Sequence, residues 1–256
     1  MTFSLRRSSL NLPLLGLLLL GAQVAAASTW TFASGGTYYV TNGSSYGNNV
    51  TFYQDNEQLH TYAWSDTGNA VPGAFEPSYI RRYSTGIGVC NPAEGDIVAT
   101  CIGGSQEHQV DNIGQEDVVL FLFESARVME SLTVDPWGTW GRDVSFWVGN
   151  VSSGINLSGS TFNTLGALGF GPQHDSLNSV GSDPLTLSLG GLSGNALLVS
   201  ALHPANNNAD RFKIRSLTTS VIPLPATIWL FVSGLGFLGL MKRRRQVHQS
   251  GARLAG

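Results

Sequence analysis

The chain has 256 residues, a formal net charge of −3, only 12% charged residues and 31 glycines. So few cations leave no electrostatic footprint for nucleic acid. The surface must instead be made of Ser, Thr, Asn and Gly, which is an extracellular texture.

Met1 to Ala27 carries Arg6 and Arg7, then an apolar run from Leu10 to Leu20, then Ala25-Ala26-Ala27. A basic start, an apolar centre and a small-residue A-x-A site are the parts of a secretory signal peptide, so signal peptidase is expected to cut after Ala27. Export to an oxidising compartment makes a disulfide the natural reading of Cys90 and Cys101. Closing so short a loop stabilises by about 3 kcal/mol in the chain-entropy model. A lone C-x10-C pair lacks the second pair that zinc requires.

From Ser28 onward the pattern is short strands and turns. Trp30 to Phe32, Tyr38 to Thr41, Val50 to Tyr53 and Leu59 to Trp64 are aromatic or β-branched runs, separated by Gly36, Asn42-Gly43-Ser44-Ser45 and Asp55-Asn56. Tyr79 to Tyr83 and Ile97 to Ile102 continue the series. Val118 to Phe123 is continuously apolar, as a buried central strand would be. Val128 to Val134 and Val144 to Val148 follow, with Pro136 and Gly138 in the turn between them. Gly154 to Pro172 reads as a long loop with at most one weak strand. Leu185, Leu187 and Leu189 alternate with Thr186 and Ser188, the period of a half-buried strand. Ala196 to Leu202 and Phe212 to Leu217 complete about twelve strands at regular spacing, which predicts an all-β fold, an antiparallel β-sandwich of jelly-roll type.

Specific chemistry is most expected between Gly86 and Asp143. Asp111, Asn112, Glu116 and Asp117 crowd carboxylates and an amide around Gly114, just before the most apolar strand, and Asp143 adds a carboxylate across a later turn. Calcium takes 6 to 8 such oxygens, so these five residues are the candidate calcium ligands. An acidic turn whose side chains bond their own backbone is the alternative. In the same region Gly86-Ile87-Gly88-Val89, His108, Val110-Asp111-Asn112, Asp117 with the apolar run after it, and Arg142-Asp143 before Val144 resemble the shared core of a group of exosortase-dependent surface proteins. That resemblance implies a sorted surface protein and no catalytic residues.

Trp137 and Trp140 lie in a Gly/Pro turn and are the candidate ligand-binding aromatics, since rings with a polar tip suit exposed recognition sites. Enzyme motifs fare poorly. Gly43-Ser44-Ser45-Tyr46-Gly47 matches G-x-S-x-G in letters, but no helix follows it to make a nucleophile elbow. His60, His108, His174 and His203 are scattered, without metal-ligand spacing. A surface glycoside hydrolase would need a carboxylate pair at a set separation, which spacing in sequence does not supply.

The chain closes on Pro223-Leu224-Pro225, an uncharged segment from Ala226 to Met241, and Lys242-Arg243-Arg244-Arg245. Sixteen residues make a helix of about 24 Å. Eight Leu, Ile, Phe and Val side chains contribute roughly −2 to −5 kcal/mol to insertion. The arginines stay cytoplasmic, so both basic ends lie inside and the middle is exported. Proline pair, short glycine-dotted helix and Arg-rich end resemble the C-terminal sorting signal of Gram-negative exosortase substrates, the PEP-CTERM proteins. Leu224 stands where that family's named motif has Glu. The resemblance implies cleavage near Pro223, Leu224 and Pro225 by an exosortase.

The expected organisation is a signal peptide (1–27), a β-sandwich (28–217), a linker with the processing motif (218–225), a transmembrane helix (226–241) and a basic cytoplasmic tail (242–256). The expected protein is no enzyme. It passes through the inner membrane to the cell surface or extracellular matrix for a structural or adhesive role, with exopolysaccharide as an expected partner. A lectin-like carbohydrate-binding module and a surface glycoside hydrolase are the alternatives.

Overall fold

Six consecutive apolar side chains, Val118 to Phe123, are all buried, and the fold is arranged so that both faces of that run are covered. The computed structural model describes residues 27–41, 49–66, 73–91, 108–136, 138–178, 180–205 and 209–222. All of them belong to one unit, Ala25–Ile222.

Thirteen strands occur among the described residues: β1 (Ala27–Thr31), β2 (Tyr38–Thr41), β3 (Asn49–Gln54), β4 (Glu57–Asp66), β5 (Phe75–Pro77), β6 (Tyr79–Tyr83), β7 (Gly86–Cys90), β8 (Val110–Asp111), β9 (Glu116–Pro136), β10 (Val144–Gly149), β11 (His174–Ser176), β12 (Leu185–Ala201) and β13 (Arg211–Val221). Every pairing between them is antiparallel. The first half of β9 lies between β4 and the end of β12, and its second half between β13 and the start of β12. One sheet therefore runs β2-β3-β4-β9-β12-β10-β11. The other runs β12-β9-β13, then β1, β7 and β8 along the far edge of β13, then β6.

Between the sheets lies the main core, with Phe52, Leu59, Val119, Phe121, Phe146 and Val199 from the first and Trp30, Ile87, Leu132, Val134, Phe212 and Leu217 from the second. Burying each such side chain contributes roughly 1.5–3 kcal/mol. A second cluster covers the outer face of the first sheet: Val118, Leu120, Leu122, Trp147 and Leu198 pack under Leu157, Leu165 and Phe170. The all-β, antiparallel sandwich expected from the strand pattern is what forms.

Three differences from the expected elements have physical causes. Val118–Phe123 and Val128–Val134 are one strand of 21 residues, because the exposed Glu124 and Ser125 between them lie where the strand bends from one sheet to the other. The runs beginning at Leu185 and Ala196 likewise merge into a strand of 17 residues. It bulges at Gly190 and Gly191, whose φ of 70° and 66° are cheap only for glycine. The expected loop 154–172 contains a 3-10 helix, Phe162–Leu168, which straps the outer face through Leu165.

Two boundaries also shift. β13 continues to Val221, past the expected domain end at Leu217, since Thr218 to Ser220 are paired with β1 on one side and Thr218 to Val221 with β9 on the other. Ala27 is already the first residue of β1, opposite Ser220. The expected strand at Ile97–Ile102 lies outside the described residues.

Candidate functional site

The acidic segment enters the fold as β8, a turn and the start of β9, and its side chains part company there. Asp111 is fully buried, and its Oδ1 accepts the Ile113 N–H at 2.9 Å. Asp117 Oδ1 accepts the Ser65 hydroxyl. Glu116 Oε2 meets His203 Nδ1, and its Oε1 accepts the Ala205 N–H at 3.1 Å. Each of these three carboxylates thus has at least one protein donor of its own.

Asn112 and Asp143 do come together, around a residue the sequence reading passed over. Asp210 is fully buried. Its Oδ1 accepts the Asp143 N–H at 3.0 Å and its Oδ2 accepts Asn112 Nδ2 at 3.2 Å. Asn112 Oδ1 in turn accepts the Asp210 N–H at 3.0 Å, and Asn112 Nδ2 also donates to the Leu202 carbonyl at 3.2 Å. Asp143 Oδ1 accepts the Asn178 N–H. Burial raises the Asp210 carboxyl above its ordinary value, and the neighbouring charge of Asp143 adds to this, while the bonds from the Asp143 N–H and the Asn112 amide oppose it. The arrangement clamps three loops that are remote in sequence. Among the described residues no group of three or more His, Cys, Asp or Glu side chains is poised to hold a metal ion. No signal marked Asp210, one carboxylate after an Asn-rich stretch and 98 residues from its Asn112 partner.

The remaining expected positions are more dispersed. Trp137 lies outside the described residues. Trp140 is half-buried, with the Arg211 guanidinium 5.0 Å above its ring and a bridge to Gly181 beside it. Its indole face is thus already covered by a cation of the same chain. Cys90 is buried at the end of β7 and no described cysteine is a free thiol; Cys101, its expected partner, lies outside the described residues. So do Pro223, Leu224, Pro225, the segment 226–241 and the Gly43–Gly47 motif. Among the described residues no helix is long and apolar enough to cross a membrane.

The described histidines are each engaged by neighbours in the sandwich. His60 Nδ1 and Thr51 Oγ1 lie 3.0 Å apart. His108 lies against Tyr83 and His174 stacks on Phe146. His203 stacks on Phe162 with ring centroids 3.7 Å apart, so the Glu116–His203 pair braces the 3-10 strap.

No family model matches the chain, and no curated protein matches it. Among solved structures, the family 32 carbohydrate-binding module of C. perfringens NanJ, in complex with galactose, is similar with a TM-score of 0.25 and 9% identity, over 62% of this chain and 93% of that one. A likeness of that size carries no argument about fold or ligand.

Proposed function

We propose that the protein is an exported surface or extracellular-matrix component with a structural or adhesive role, built on a jelly-roll-like sandwich and sorted by an exosortase that cuts near Pro223-Leu224-Pro225. What supports the sorting is the pair of ends read from sequence, together with one observation from the fold. Ala27 is the register partner of Ser220, and Cα atoms so paired lie about 5 Å apart. The first and last strands therefore leave the domain side by side. A domain tethered first by a signal peptide and then by a sorting segment in one membrane needs both exits on one side, and this pairing provides them.

Intact mass of the surface-exposed form tests the reading, because it reports both ends together. The expected product begins at Ser28 and lacks Phe237 and Arg243. Mature protein recovered from the outer fraction with both residues still attached would make the segment a permanent anchor and end the sorting proposal.

A further inference from the structure

β3 and β4 form a hairpin whose two-residue turn, Asp55-Asn56, has φ of 50° and 64°, the left-handed pair that lets a tight turn follow the strand twist. The turn sets the register Tyr53↔Gln58, Thr51↔His60 and Asn49↔Tyr62. Val50, Phe52, Leu59 and Ala63 point into the main core. By the two-residue alternation of strands, Thr51, Tyr53, Gln58, His60 and Tyr62 stand on the opposite face. The 3-10 strap and the loop before it cover that face over β9, β12, β10 and the end of β4 at Trp64, against which Tyr62 is partly packed, whereas β2, β3 and β4 up to His60 lie beyond that cluster. Tyr53 is 38% exposed and Val40, on β2, 43% exposed; Thr51, Gln58, His60 and Tyr62 are half-buried.

We infer that this face of β2, β3 and β4 binds a neutral polysaccharide chain. The inference rests on the adhesive reading above and supplies its ligand. Three observations carry it. First, the outward positions Val40, Thr51, Tyr53, Gln58, His60 and Tyr62 include no Asp, Glu, Lys or Arg, and the carboxylates Asp55, Asp66 and Glu124 stand only at the ends of the face. A neutral face suits a neutral ligand, and an anionic one would meet no cation there. Second, the rings are mixed with hydrogen-bonding groups rather than gathered into an apolar patch. Tyr53 lies beside Gln58, and the Thr51–His60 pair lies between the two tyrosines. A sugar offers C–H faces for the rings and hydroxyls for the polar groups, whereas the core of a protein interface favours contiguous apolar surface. Third, the rings are held by rigid strands: Tyr62 stacks on Trp64 with centroids 5.7 Å apart, and the Trp64 indole donates to Ser158 at 3.3 Å. Such preorganisation leaves little side-chain freedom to lose on binding. Strand geometry puts Tyr53 and Tyr62 about 14 Å apart, four residues along and one strand across, a span for a chain rather than a single sugar.

The test is affinity electrophoresis of the full chain, in a detergent without a sugar headgroup, through gels holding dextran, mannan or galactan, with alginate as the anionic control. The expected result is retardation by at least one neutral polymer, weakened about 3- to 10-fold by Tyr53→Ala, as expected for loss of an aromatic contact. Gln58→Ala, a milder change in the same row, is expected to weaken it as well, and Trp140→Ala to leave it unaltered. Unchanged thermal melting keeps each variant interpretable. The inference is overturned if none of the neutral polymers retards the protein, if alginate does so equally, or if Tyr53→Ala and Gln58→Ala leave retardation intact. It is also overturned if the same substitutions abolish self-association instead, which would make the face a contact between copies. None of these outcomes depends on where the chain is cut, so the binding and sorting proposals fail separately.

Discussion

Asp210 and Lys213 sit three residues apart and show what burial does to a charge here. A carboxyl raised in the folded state keeps its proton more firmly than in the unfolded chain. Asp210 therefore makes stability fall as pH rises from the ordinary carboxylate value to its raised one. Lys213 is buried on β13, its ammonium 4.7 Å from the Tyr83 ring centre. Desolvation lowers its pKa, and the charge of Asp135 partly restores it. Between that lowered value and the ordinary one near 10.5 the unfolded chain binds the extra proton, so stability rises with pH across that window. Lys213→Met should abolish this alkaline rise while leaving the urea midpoint at neutral pH equal or higher, because apolar replacement of a buried charge is often neutral or stabilising. Denaturation at a series of alkaline pH values would show it; a rise that persists belongs to another group. In the sequence Lys213 is one cation in Arg211-Phe212-Lys213-Ile214-Arg215, and strand alternation would put it on the same face as Arg215; only the register shift between Ile214 and Ser216 separates the buried Lys213 from the exposed Arg215. Asp111, Glu116 and Asp117 were legible as a cluster of carboxylates, and the local bond of Asp111 to the Ile113 N–H is within reach of such a reading; the separate engagement of Asp117 and Glu116 was not, since their partners Ser65, His203 and Ala205 come from distant strands and turns.

At the scale of elements, β9 and the 3-10 strap carry the architecture. The uninterrupted apolar run of β9 was readable because a strand covered on both faces has no polar side to alternate with. Its continuation through Glu124 and Ser125 was not, because two polar residues look like a turn until β12 bends alongside them. The strap was read as plain loop: Phe162 to Leu168 contains few strong helix formers, and only Leu165 among them is buried. It ends at Gly169, with φ of 99°, where an added Cβ would lie 2.4 Å from the Asn150 carbonyl oxygen. Gly169→Ala should therefore cost about 1–3 kcal/mol and loosen the strap from Trp147 and Trp64. Red-shifted tryptophan emission and faster amide exchange in 157–170, with exchange in β13 unaltered, would verify it. Equal loosening throughout would mean that the strap and sandwich unfold as one.

For the molecule as a whole, the decisive pairing is between its first and last strands. β1 lies along β13 from Ala27↔Ser220 to Thr31↔Ser216, and Trp30 carries that contact into the main core, edge-on to Phe123 at 6.1 Å. Trp30 and Phe32 thus owe their burial to the sheet edge that β13 supplies. Trp30→Ala is expected to cost about 3–5 kcal/mol, a large share of the 5–15 kcal/mol typical of a domain. An equilibrium urea titration beside the parent protein would measure it, and a cost below about 1 kcal/mol, the size of a surface change, would mean that the ends are not structurally joined. The strand composition, the scarcity of charge and the period-two alternation could be settled from the chain alone, because they depend on each residue and its near neighbours. Which carboxylates share partners, which face stays uncovered and that the two ends meet were decided only by tertiary structure. Those properties depend on contacts across dozens to nearly two hundred residues, and spacing along the chain carries no record of which strands will lie side by side.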